Sequence, residues 1–239
     1  MINFKFLTIL YLVGLATGCT SKKATDKVVD NQINQILEEK NYFKLKDAVE
    51  LNEDKLADDR LLYYKVFIAK AFGKHDESTE YVDNLLKNHH QTLNDTMVVK
   101  LLDIKASNKI YNYQYKEAGE IYSDILNKHN KVLDSSDIAN YKNVQALFSS
   151  LATVEPQVVH KNKDVSISAS RNAFNHLMTP VKSNAVADSF IFDTGANLST
   201  ISESQVNKMN LKMINTKIEV GSSTKINVES KLAVADSFY

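Results

Sequence analysis

From about Thr25 to Leu151 the apolar residues recur at the spacing of a helix face. Val29, Ile33, Ile36 and Leu37 fall at i, i+4, i+7 and i+8, and Ala118, Ile121, Tyr122, Ile125 and Leu126 fall at i, i+3, i+4, i+7 and i+8. Val144, Leu147, Phe148 and Leu151 repeat the rule. Gly73 and Gly119 are the only glycines in this stretch and it has no proline, so it predicts a set of amphipathic helices. The period changes after Pro156. Val165, Ile167 and Ala169 alternate with polar residues, as do Leu177, Thr179 and Val181, then Ile218 and Val220, then Ile226 and Val228, and this alternation predicts strands. Phe190-Ile191-Phe192 is a continuous apolar run that predicts a fully buried strand, and the stretch from Asn197 to Ser202 predicts another. Ser202 with Gln205 three residues on predicts a short capped helix through Val206 and Met209. The expected fold class is α+β, with a helical region over 25–152, a linker over 153–163 and a β domain over 164–239.

Within the helical region Glu77-Ser78, Glu80, Leu86, His89, Leu93 and Asn94 recur as Glu117-Ala118, Glu120, Leu126, His129, Leu133 and Asp134. An internal repeat of this order implies stacked helical hairpins. The stretch from Tyr64 through Ala71 and Gly73 to Tyr81 resembles a tetratricopeptide unit, in which small residues let two helices approach closely. That resemblance implies a concave helical surface able to bind a peptide. His89 and His129 occupy matching places in the repeat, which assigns them a helix-end role beside the helix dipole rather than a metal. No histidine makes the close pair with a carboxylate that helical zinc sites use, and glycine-rich phosphate loops are absent, so neither a metal nor a nucleotide cofactor is expected.

At the N-terminus Lys5 precedes an apolar run from Phe6 to Ala16 that is too short to span a bilayer and ends in small residues. The next residue of note is Cys19, the only cysteine. Residues 1–18 resemble a bacterial lipoprotein signal, with Ala16 where a leucine is more usual. The resemblance implies lipidation of Cys19, a tether over 19–24, and a protein held on a membrane face of the bacterial cell envelope. An ordinary secretory peptide with a chance cysteine is the alternative. With Cys19 consumed by lipid, no thiol remains for a disulfide or a cysteine nucleophile. Lys plus Arg and Asp plus Glu both number 29, which argues against a nucleic-acid partner.

The candidate chemistry sits at Asp193-Thr194-Gly195-Ala196, between the Phe190–Phe192 run and the stretch through Ile201. A strand that delivers an acid to a small-residue turn holds a carboxylate rigidly, Gly195 permits a tight turn, and the Thr194 hydroxyl can brace the loop. A turn using Asp and Gly between two ordinary strands has the same composition. From roughly Phe174 to Tyr239 the chain resembles the retropepsin-like aspartic proteases. The resemblance rests on a hairpin around Ser183-Asn184, the Asp-Thr-Gly-Ala loop between apolar stretches, a short helix, and a second hairpin turning at Gly221-Ser222-Ser223. It implies a partial retropepsin-like β-barrel, Asp193 as the catalytic acid, Thr194, Gly195 and Ala196 as its supporting loop, and Gly221, Ser222 and Ser223 as a flap over a protein or peptide substrate.

Aspartic peptidases use two carboxylates that share a proton. With one Asp-Thr-Gly in this sequence, an active enzyme needs Asp193 from each of two copies, or a further C-terminal segment. The resemblance also implies strands and a hydrophobic-hydrophobic-glycine segment beyond the second hairpin, so the β domain reads as incomplete, with Lys231 to Tyr239 as a strand. Ala185-Val186-Ala187-Asp188-Ser189-Phe190 recurs as Ala233 to Phe238, either a trace of duplication or a coincidence among strand-forming residues, and Asp188 and Asp236 read as solvent-facing. Two functions are therefore expected in competition: a lipid-anchored aspartic endopeptidase, and a non-catalytic envelope lipoprotein whose helical repeats bind a protein partner.

Overall fold

The computed structural model describes residues 23–161, 163–196, 198–221 and 227–239. The segment expected to be a signal and Cys19, and with them Ser222, Ser223 and Ile226 of the second hairpin, lie outside the described residues. The chain is α+β, with helices mostly ahead of two small antiparallel sheets. It divides into two compact units, the first ending at Tyr64 and the second covering Lys65–Tyr239.

In the first unit α1 (Lys27–Glu38) and α2 (Tyr42–Leu51) are followed by a 3-10 turn, Glu53–Lys55, and by the start of α3 (Asp58–Ala71). Asp26 caps α1 by accepting from the Val28 and Val29 N–H groups, and Asn41 caps α2 by accepting from Lys44. Burial of Ile33, Leu37, Leu45, Val49, Leu56 and Tyr64 forms the core of this unit. A half-buried ion pair lies beside this core: Arg60 Nε donates to Asp30 Oδ1 at 2.7 Å, and Tyr64 OH donates to the same oxygen at 2.7 Å while accepting from Arg60. Burial pushes the Tyr64 phenol far above its ordinary range, so it stays a neutral donor.

The second unit continues with α4 (His75–Asn88), α5 (Asp95–Tyr111), α6 (Tyr115–Lys128) and α7 (Ser135–Ser150). The helix pairs end in the same way. Asn52, His89 and His129 all leave the helix with φ between −127° and −122°, enter a 3-10 turn, and pass to an extended Leu56, Leu93 or Leu133. His89 and His129 are thus helix-end residues, bonded through their backbone N–H to Leu85 and Ile125. Asn94 then caps α5, and Asp134 with Asp137 forms a capping box on α7.

Small residues set the spacing between these helices. Ser78, at the repeat position of Ala118, is buried and donates to the Val66 carbonyl, which satisfies its hydroxyl. A methyl group on Gly119 would stand 2.6 Å from Ser149 Oγ and 3.3 Å from Ser149 N, so α6 and α7 touch through a glycine.

Sheet A has the order β1 (Ser170–Arg171), β2 (Leu177–Ser183), β3 (Val186–Ile191), all antiparallel. Asn184 turns β2 into β3 at φ 53°, a conformation Asn tolerates better than most residues. The backbone of Lys182 faces away from β3 and exchanges two hydrogen bonds with Tyr239, at 2.8 and 3.0 Å. Pro180 has the same parity, so the N–H it lacks would point to the outer edge of β2, where a proline is tolerated. This corrects the strand expected over Val165, Ile167 and Ala169, which is irregular and exposed. In register it would run along Thr179 to Ser183, where Pro180 offers no donor and Lys182 is taken by Tyr239.

Sheet B pairs β4 (Lys212–Gly221) with β5 (Asn227–Val234). The run from Lys231 to Tyr239 is therefore strand only as far as Val234, after which the chain bends at Asp236 to bring Tyr239 to β2. The stretch from Leu198 to Ser202 is also not a strand, and among the described residues no strand pairs with it. Ser202 caps α8 (Glu203–Lys208) by accepting from the Gln205 N–H, and Val206 and Met209 are buried as the pattern requires. Among the described residues no helix is long and apolar enough to cross a membrane.

Replacing Gly119 by leucine should force α6 from α7 and cost about 1–3 kcal/mol, the usual toll of overpacking. A urea midpoint that falls well below wild type is the expected result, and an unchanged midpoint would show that the close approach at Ser149 carries no strain.

Candidate active site

Successive strand residues face opposite sides of a sheet, and in β3 only one side is covered. Val186, Asp188 and Phe190 are partly buried while Ala187, Ser189 and Ile191 are exposed. The fully buried strand expected at Phe190–Phe192 is therefore corrected: Ile191 is 53% exposed and Phe192 57%. A continuous apolar run is buried throughout only where both faces of the sheet are packed, and sheet A carries α8 on one side.

Phe192 N–H still bonds the Leu177 carbonyl at 2.8 Å, one step past β3, and so fixes the entry to the loop. Asp193 follows in an Asx-type turn. Its Oδ1 accepts from the Gly195 N–H at 2.8 Å and its carbonyl from the Ala196 N–H at 3.4 Å. A methyl group on Gly195 would stand 3.3 Å from Asp193 Oδ1, closer than most such contacts, so glycine leaves room for the carboxylate to lie over the turn. The brace is thus the Asp193 carboxylate, whereas the Thr194 hydroxyl forms no hydrogen bond among the described residues. Asp193, Thr194, Gly195 and Ala196 are all exposed, as are their sequence neighbours Ile191, Phe192 and Leu198, the last at 51%.

Two brackets join elements of this unit that are distant in sequence. The first is at Asp188, read from the sequence as solvent-facing but here accepting from Lys208 Nζ at 2.7 Å, Gln205 Nε2 at 2.9 Å and the Ser189 N–H at 2.8 Å. It ties α8 to β3, and Asn184 adds a bond from its side chain to the Met209 carbonyl. Gln205, which the capping-box pattern would turn back on Ser202, instead reaches Asp188. The hydrogen bonds from Lys208, Ser189 and Gln205, in that order, hold the Asp188 carboxyl down to about 2.

The second bracket is at β4. Ile218 is 6% exposed and belongs to a core cluster with Ala118, Tyr122, Ile125, Leu147 and Phe148, and Val220 and Leu232 pack against the same cluster. Asn143 on α7 donates to the Glu219 carbonyl and accepts from the Glu219 N–H, both at 2.8 Å. Gly221 pairs with Asn227 at the far end of the hairpin, and the candidate flap residues Ser222 and Ser223 lie outside the described residues.

Elsewhere, Lys70, Asp103 and Tyr122 form an interior polar group that the apolar pattern did not reveal. Burial lowers Lys70 and raises Asp103, and their mutual attraction and a hydrogen bond from Tyr122 oppose the shift at Asp103. Among the described residues no cluster of His, Cys, Asp or Glu could hold a metal ion. Compared with protein-family models, with curated proteins and with solved structures, the chain matches none.

Because the folded Asp188 has a lower pKa than its ordinary 3.8, it stabilises the fold above that value and loses its contribution as pH falls through 3.8 towards 2. Asp188→Asn should therefore reduce stability at pH 7 and flatten the acid limb of a stability profile. A variant whose acid limb matches wild type would show that the Lys208 bracket is not energetically linked to folding.

Proposed function

We propose that this chain is an aspartic endopeptidase of the retropepsin-like kind, with Asp193 as its catalytic acid and a second Asp193 supplied by another copy of the chain. The observation that carries the reading is the loop itself: an acid at the end of a strand, its Oδ1 2.8 Å from the Gly195 N–H, exposed at the surface and flanked in sequence by the exposed Ile191, Phe192 and Leu198. Exposed apolar residues next to an acid loop suit a surface that meets its own symmetry mate. The order hairpin, Asp loop, short helix, hairpin supports the same reading.

In the dimer the two carboxyls share one proton. The ionised carboxylate takes a proton from water as the water oxygen attacks the scissile carbonyl carbon, and the protonated carboxyl donates a hydrogen bond to the carbonyl oxygen. Collapse of the tetrahedral intermediate breaks the C–N bond, and the leaving nitrogen takes the proton that the first carboxylate had accepted from water, which restores the pair with its single shared proton. Gly195 and its N–H hold Asp193 at a fixed rotation while a partner backbone approaches. The lipid anchor at Cys19 and the tetratricopeptide-like character of the helices belong to the same proposal: the repeats present protein substrates at a membrane face of the cell envelope.

Asp193→Asn keeps the acceptor for the Gly195 N–H and removes the shared proton. Peptide cleavage should fall to background with the circular dichroism spectrum unchanged, and wild-type cleavage should weaken as rising pH ionises both carboxyls. Cleavage that survives in Asp193→Asn would place the chemistry elsewhere. A wild-type chain that cleaves no peptide from acid to neutral pH would favour the alternative, a lipoprotein whose helical repeats bind a partner.

A further inference from the structure

Three helical hairpins turn in the same way. The chain leaves the first helix through one residue at positive φ, and the N–H after it bonds a carbonyl near the end of that helix. The turning residue is Lys40 at φ 55°, Gly73 at 73° and Tyr113 at 58°. The closing bonds run from Asn41 to Ile36, from Lys74 to Ala69 and from Gln114 to Lys109. A methyl group on Gly73 would meet nothing, so glycine there answers only the left-handed backbone. Tyr113 holds the corresponding place, where a bulky side chain is a conformational outlier. An outlier of this kind points to a task for its side chain.

Tyr113 borders a cleft of about 290 Å³ between the start of α6 and the segment Leu151–Pro156 that follows α7. Such a volume is small for a ligand cleft and admits one side chain or small amine rather than a nucleotide. The Tyr115 ring meets Tyr113 edge to face, 6.2 Å between centroids, and stacks on Phe148 of α7 at 5.8 Å, which ties the pair of tyrosines to the helical core. Glu117 and Glu155 also line the cleft, and among the described residues neither carboxylate has a hydrogen-bond or ion-pair partner. The lysines nearby are engaged: Lys116 lies 4.0 Å from Glu120, and Lys109 donates to Gln114 Oε1 at 3.0 Å. The negative ends of α5 and α7 stand beside the cleft, against the positive start of α6 alone.

We propose that this cleft is a binding site for one organic cation, a guanidinium or alkylammonium group, seated against the Tyr113 ring with Glu117 and Glu155 as its counter-charges. An aromatic face attracts such a cation through its quadrupole, and a guanidinium or ammonium group supplies the charge that the two carboxylates lack. The group arrives on an arginine or lysine side chain of a partner protein or as a free amine; the chemistry is the same. The site is built from the helical repeats and is independent of the peptidase reading.

The test is a titration of the full chain, followed through its amide chemical shifts, with acetyl-Gly-Arg-Gly-amide and with the neutral citrulline analogue. The arginine peptide should shift the amides of Tyr113, Gln114 and Thr153 to saturation, with a Kd on the order of 1 mM, and the citrulline peptide should not. Glu155→Gln, at an exposed position, should weaken binding about threefold. Tyr113→Gly, which suits the left-handed turn, should keep the fold and weaken binding about threefold or more. A peptide that binds tighter than methylguanidinium identifies a protein side chain as the source, and equal affinities identify a free cation; both support the site. Shifts that do not saturate, or equal shifts from the citrulline peptide, would overturn it. Wild-type affinity in Tyr113→Gly would reduce the tyrosine to a structural role, and should that variant fail to fold, wild-type affinity in Glu155→Gln would overturn the counter-charge on which the proposal depends.

Discussion

A two-stranded antiparallel ribbon buries too little apolar surface to persist alone in water. Here β4 and β5 persist because Ile218, Val220 and Leu232 complete the core of the helical repeats beside Leu147 and Phe148. The other features of the C-terminal part follow from this seat. It fixes one edge of the hairpin through Asn143, carries β5 past Glu203 of α8, and delivers the chain end to Lys182 on the outer edge of β2. Sheet A in turn is held to α8 by Asp188 and Asn184. The acid loop is therefore supported indirectly, through a chain of brackets, rather than by burial of its own strand.

That indirect support matches the chemistry proposed for the loop. A carboxylate sunk between two packed layers could not meet a second copy of itself, and two carboxylates within one chain would not need to. An exposed Asp193, held by its own turn and flanked in sequence by the exposed Ile191, Phe192 and Leu198, suits a site that is complete only when two surfaces close on each other.

Much of the architecture was legible in local sequence. The periodicity of Val29 to Leu151 gave helices whose ends fall at Asn52, His89 and His129, and Ser202 opened α8 as its capping pattern required. Asn184 marked its turn through a backbone preference of its own. What could not be read was whatever depended on a distant partner. The alternation of Val165 to Ala169 was a sound strand signal, overruled because Pro180 and Tyr239 closed the edge it needed. The apolar run at Phe190 to Phe192 looked buried because periodicity does not reveal how many faces of a sheet are covered. Asn143 gave no signal at all, since its partner Glu219 lies 76 residues away and the bond is to backbone, which carries no residue identity.

The central claim is that each chain holds half of a catalytic pair. Its most direct test is the initial rate of peptide cleavage as a function of protein concentration. The account predicts a rate that rises with the square of concentration when the chain is dilute and becomes linear as dimers saturate. A rate strictly linear from the lowest concentration at which cleavage is detectable would contradict it.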